Sequence, residues 1–270
     1  MAHDHLRVKP GTIVDLASLP TRSDAGWDGD KKEGKKRVKE LAKHLRNLQR
    51  VFYADGSHRL LIVLQAMDTG GKDSTIRDVF GRMNPQGVKV TSFGAPTPPE
   101  LAHDYLWRVH PHVPGNGQIA IFNRSHYEDV LVVRVANLVP EGRWRRRYDH
   151  IVAFEEMLAD EGTTILKFFI HISREEQKER LESRLEDPDK NWKFNPADLD
   201  TRARWDDYAA AYSEMLGRTS TARAPWYVIP GDRKWYRKLV IGEITIDLLE
   251  SLDLRYPTNP EDLSGIVIPD

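Results

Sequence analysis

The chain has no cysteine among its 270 residues. That absence removes disulfides, zinc–thiolate centres and cysteine nucleophiles together. No apolar run approaches the roughly 18 residues that a spanning helix needs, so a spanning protein is excluded and no membrane partner is expected. The opening MAHDHLRVKPG lacks the apolar stretch of a secretory signal, and the expectation is a cytoplasmic protein. An excess of one charge is missing too: 40 Lys and Arg stand against 41 Asp and Glu, a formal charge of −1. Such a balance argues against a nucleic-acid coat. It leaves room for a cationic channel, because KKEGKKRVK (31–39) and RWRRRYDH (143–150) form basic islands. Taken alone, each island reads as a solvated helix face.

Residues 1–31 carry little periodicity and several prolines and glycines, and they read as an N-terminal extension, ordered only if it lies on the body. The remainder, 32–270, reads as one domain. Val38, Leu41, Leu45, Leu48 and Val51 share one helical face. Apolar runs at 60–65, 118–122, 163–172 and 225–230, with a weaker one at 88–93, read as buried strands. Helix-period segments lie between them, around 74–83, 99–109, 125–135, 148–158 and 174–185, and two longer ones follow at 196–216 and 233–252. Strands alternating with helices predict an α/β fold with a parallel sheet covered on both faces.

The segment LLIVLQAMDTGGKDST (60–75) carries the chemistry. A buried strand runs into a turn containing Gly70 and Gly71, then Lys72, then Asp73, Ser74 and Thr75 opening a helix. Glycines let successive N–H groups converge, the helix presents its positive end to the same point, and Lys72 adds a full charge. The candidate phosphate-binding residues are therefore Thr69 through Thr75. The match to G-x-x-x-x-G-K-[ST] is imperfect, since Ala66 replaces the first glycine and Asp73 the metal-binding hydroxyl. Asp68 would repel a phosphate unless a cation lay between them, which points to magnesium. Closing the turn through a side-chain hydrogen bond is its other use.

IFNRSHYEDV (121–130) ends the third strand, where parallel sheets bind ligands. Asn123 and Arg124 then come beside the loop. Arg124 offers a planar fork for phosphate, and Glu128 lies one turn on. A surface Arg–Glu pair is the bland alternative. Residues 174–208 read as a cationic lid, with Arg180 and Arg184 on one helix face, or as a charged helix pair laced by ion pairs. Trp192, Phe194, Trp205 and Tyr208 read as its packing anchors, base stacking by one of them being the other possible use. His103, His110 and His112 lack ordered metal-ligand spacing, so no transition-metal site is expected.

AMDTGGKDST, FNRSHYEDVLVVRV, NWKFNPADLDTRARWDDY and APWYVIPGDRKWYR, in that order, resemble the family-2 polyphosphate kinases, most closely the class III members, which accept nucleoside mono- and diphosphates. The resemblance implies a P-loop kinase core similar to thymidylate kinase, a three-layer sandwich with a helical lid. It implies reversible transfer of a terminal phosphoryl group between inorganic polyphosphate and purine nucleotides, AMP or ADP, with magnesium (manganese as a substitute). Asp68, Lys72, Arg124 and Glu128 would be catalytic, with Asp68, Glu128 and Asn123 toward the metal and Arg180 and Arg184 as lid arginines. Most family members carry Asp where this chain has Asn123, and Glu128 would supply the missing charge. Homodimers or homotetramers are implied, with no nucleic-acid partner. With no histidine in the loop motifs, direct in-line transfer without a phosphohistidine is expected. An ATP-dependent nucleoside monophosphate kinase is the alternative enzyme, and a nucleotide-binding scaffold the alternative of another class.

Overall fold

A computed structural model describes residues 3–259, 261, 264 and 266–269. Five parallel strands form one sheet: β1 (Arg59–Ala66), β2 (Val88–Ser92), β3 (Ile119–Asn123), β4 (Thr163–His171) and β5 (Trp226–Pro230), in the order β2-β3-β1-β4-β5. Of β1's eight residues only Arg59 escapes burial, which is why that run is continuously apolar. The sequence winds to either side of β1, so its carboxyl end is the topological switch point where such sheets bind ligands. The register pairs Leu64 with Asn123 and Ser92 with Asn123, bringing the ends of β1, β2 and β3 together.

The helices are α1 (Lys31–Asp55), α2 (Lys72–Thr75), α3 (Pro98–Leu101), α4 (Val132–Val135), α5 (Glu141–Asp160), α6 (Arg174–Glu186), α7 (Ala197–Ala203), α8 (Trp205–Thr219) and α9 (Lys234–Glu250). Asp30 caps α1 through a reciprocal box with Glu33 and a left-handed Gly56 ends it, so local chemistry sets both boundaries. α1 lies against α9 so closely that a side chain at Gly34 would overlap the Trp235 ring. None of the helices among the described residues is long and apolar enough to cross a membrane.

Several helical expectations are cut shorter. The pattern at 99–109 yields only α3, that at 125–135 a 3₁₀ turn (His126–Val130) followed by α4, and that at 196–216 breaks between α7 and α8 at Arg204. The N-terminal arm lies on the body. The Val8 N–H donates to Trp226 O (2.9 Å), Ser220 Oγ donates to Val8 O (2.7 Å), and Val8 and Leu16 are buried. It thereby covers the free edge of β5, which would otherwise expose unpaired backbone groups.

β4 carries a charge through the core. Lys167 donates to Glu155 (2.6 Å), Tyr127 Oη (2.8 Å) and Thr219 O (2.8 Å), satisfying all three of its protons where water is absent. His126 is fully buried against Glu155.

Candidate active site

The strand-to-helix loop is built by two steric demands. A side chain on Gly70 would collide with Cβ of Ala66, so a close approach across the turn requires both small residues. Gly71 has φ of 99° and also backs onto the Arg237 guanidinium, so only glycine fits there. Ala66, read as a departure from the strict loop pattern, is thus half of the contact that shapes the turn. The helix that follows is α2, continued by a wider π turn over Ile76–Phe80. Its first N–H groups have no intrahelical acceptor.

Lys72 is buried, and its Nζ donates to Ala66 O at the base of the loop (3.2 Å). Burial, and then Arg124, lower its pKa, while Asp68, Glu128 and Asp73 act to retain its charge. Arg124 adopts a left-handed conformation (φ 61°), its N–H donates to Leu64 O, and its Nη2 reaches Asp68 Oδ1 (3.0 Å). Burial acts against its charge, but Glu128 and Asp68 outweigh it and hold its pKa above the ordinary value. Burial raises the Glu128 pKa, opposed by Arg124 and Lys72. Asp68, Lys72, Arg124 and Glu128 thus converge as one electrostatic cluster.

The other expected residues divide. Asn123 Nδ2 donates to Asp73 Oδ1 (2.7 Å), so the residue where a carboxylate was expected makes a neutral bond to a carboxylate already present. Ser74 and Thr75 donate their hydroxyls to Gly71 O (3.1 and 3.0 Å), which commits them to the loop's scaffold. Arg180 sits behind the loop, donating to Thr69 O, Gly70 O and Gly231 O and pairing with Glu176. Its fork is consumed by protein carbonyls, unlike that of a free lid arginine. Arg184 remains near the cleft, holding Lys193 O and Asp198.

Sequence reasoning missed four residues. Arg237 donates to Gly70 O (2.8 Å), Gly231 O (3.3 Å) and Ser74 Oγ (2.9 Å), and burial with Arg180 alongside lowers its pKa to about 9. Gln177 donates to Asp68 O, Tyr212 Oη to Ala66 O, and Gln65 to Ser125 Oγ. A signal existed for two of them: Arg237 interrupts an apolar helix face and Gln65 an apolar strand, both places where a polar group needs a reason.

Two clefts flank the loop. The first, about 490 Å³, is lined by Asp68 to Asp73, Asn123, Arg124 and Phe93, with Trp192 and Asp198 from the lid. The second, about 510 Å³, presents eight cationic side chains against three carboxylates.

A family model described as Polyphosphate kinase 2 (PPK2) matches residues 28–257. The chain belongs to the polyphosphate kinase 2 family. It is 52% identical over 262 residues to an AMP/ADP-polyphosphate phosphotransferase of Meiothermus ruber, covering 97% of this chain and 98% of that one. It is 41% identical to an ADP-polyphosphate phosphotransferase of Rhodopseudomonas palustris, covering 93% and 91%. A crystal structure of polyphosphate kinase 2 from Arthrobacter aurescens superposes with a TM-score of 0.93 at 42% identity, covering 97% of this chain and 93% of that one.

The donor set for a metal is all oxygen. Among the described residues no three His, Cys, Asp or Glu side chains form a ready metal cage. Magnesium needs none, since it is held by one or two carboxylates together with substrate phosphates and water. Asp68 and Glu128, sharing the cluster with Lys72 and Arg124, fit that requirement.

Proposed function

We propose that this polyphosphate kinase 2 family member transfers a terminal phosphoryl group, reversibly and in line, between inorganic polyphosphate and AMP or ADP. The observation that carries the reading is the convergence of a buried lysine, an arginine fork and two carboxylates on a glycine loop at the switch point of the sheet. The names of the relatives support both substrates. Magnesium, held by Asp68 and Glu128 with the substrates' own phosphates, would neutralise charge on the transferring group. The loop N–H groups and Lys72 bind and orient that group, and Arg124 holds the phosphate facing it. A nucleotide phosphate is already nucleophilic, so positioning and charge neutralisation suffice without a strong base. The family resemblance also supports a homodimer or homotetramer working in the cytoplasm.

The test is a product profile from AMP and from ADP with magnesium and polyphosphate as sole donor. Polyphosphate-dependent formation of ADP and ATP is expected. No transfer from polyphosphate, or turnover only with ATP as donor, would overturn the reading.

A further inference from the structure

The two clefts beside the loop differ in a way the shared phosphate chemistry does not require. The second carries eight cations and no aromatic side chain. The first carries two aromatics, Phe93 and Trp192. Phe93 is buried, with Phe122 and His112 set edge-on to it and Arg108 over its ring. Its surface is taken up by protein.

Trp192 is different. It was expected as a packing anchor, yet it is 78% exposed, while Tyr208 of the same segment is buried. Surface tryptophans commonly use the indole N–H as their polar handle. Here that N–H is already given to Asp189 O (3.1 Å), which fixes the ring on its 3₁₀ turn (Asn191–Lys193). Lys193 Nζ stands 4.8 Å from the ring centroid, and no ring of the protein stacks on the indole among the described residues. A fixed, exposed π-surface therefore lines the cleft that also contains Lys72 and Arg124.

From this asymmetry we infer that Trp192 is the base platform of the nucleotide site: the nucleobase stacks on its indole in the first cleft, while polyphosphate, which has no ring to stack, takes the aromatic-free second cleft. The inference rests on the polyphosphate–nucleotide reading above and adds which side each substrate enters from. Every base has a π-face, so the platform tolerates different bases, with purines gaining most from their larger rings.

Trp192→Ala removes the platform and leaves every cation of the second cleft in place, Lys193 losing only its contact with the ring. Losing one base–aromatic stack corresponds to about a 5- to 150-fold rise in KM for ADP. KM for polyphosphate at saturating ADP should stay at the wild-type value. Trp192→Phe should recover most of the loss, and the preference for ADP over CDP should narrow in the alanine variant. Binding is read separately by titrating ADP without polyphosphate: fluorescence quenching should be present in the wild type and largely lost in Trp192→Phe, which removes this indole and leaves six others. Equal rises in KM for both substrates would make Trp192 a lid-closing element and overturn the inference, as would an unchanged KM for ADP. If the wild type makes no ATP from polyphosphate, the activity reading fails by itself, and quenching by ADP assigned to Trp192 still decides the platform.

Discussion

Arg180 and Arg237 approach the phosphate loop from α6 and α9 and share two acceptors, Gly70 O and Gly231 O. The consequence can be worked out for Arg237→Met. The guanidinium makes three hydrogen bonds, each worth about 1.5–3 kcal/mol for a charged donor. Against them stands a pKa lowered to about 9 by burial and by Arg180, equivalent to roughly 5 kcal/mol against the charged form. Three such bonds total about 4.5–9 kcal/mol, so the balance lies between about zero and 4 kcal/mol in favour of the guanidinium. Both carbonyls keep Arg180 as donor after the substitution, so no buried acceptor is orphaned. The single variant should therefore lower stability by no more than about 4 kcal/mol. Removing Arg180 as well leaves both carbonyls without a guanidinium, at about 1–3 kcal/mol each. A double-mutant cycle by denaturant unfolding should then show a coupling of roughly 3 kcal/mol beyond additivity. The loop should lose its geometry in the double variant, with kcat falling by about 100-fold. Additive effects within about 0.5 kcal/mol would refute the shared clamp.

Asp68→Asn removes charge while keeping shape, and metal-dependent transfer should fall by at least about 100-fold with the unfolding midpoint little changed. Near-normal activity would make Asp68 a turn residue. Lys72→Ala should cost about two to three orders of magnitude in kcat, read by initial rates with saturating polyphosphate and ADP. Lys167→Met should destabilise by about 3–5 kcal/mol in chemical unfolding, because Glu155 would be left as an uncompensated buried charge. Lys167→Met combined with Glu155→Gln should recover much of that loss.

The parallel sheet was legible because five apolar runs are too continuous to have a wet face, and the loop was legible because glycine, lysine and hydroxyl residues follow one of those runs directly. Helix spacing could put Arg180 and Arg184 on one face, but it could not say what that face would meet. α6 docks so that Arg180 reaches loop carbonyls and Arg184 the lid, and that difference is tertiary. Arg237 lies 167 residues from Gly70, so no local pattern could link them. The 125–135 segment shows the opposite failure: its helical periodicity was real, yet its first turn winds as a 3₁₀ helix and Leu131, outside helical geometry (φ −106°, ψ −82°), separates that turn from α4.

That pairing bears on how the site can hold opposite charges and still accept anions. Arg124 is 44% exposed at its side chain and Asp68 17%, so their ion pair faces solvent on one side and is worth little more than about 1 kcal/mol. A phosphate that takes the arginine fork therefore gives up little, and it frees an Asp68 oxygen in the same exchange. Lys72 has no such freedom, being buried and tied to the loop base. On the proposed function, the cluster would divide into a fixed charge, Lys72, that shapes the phosphate site and an exchangeable Arg124–Asp68 pair whose two groups stay occupied with each other until substrate separates them.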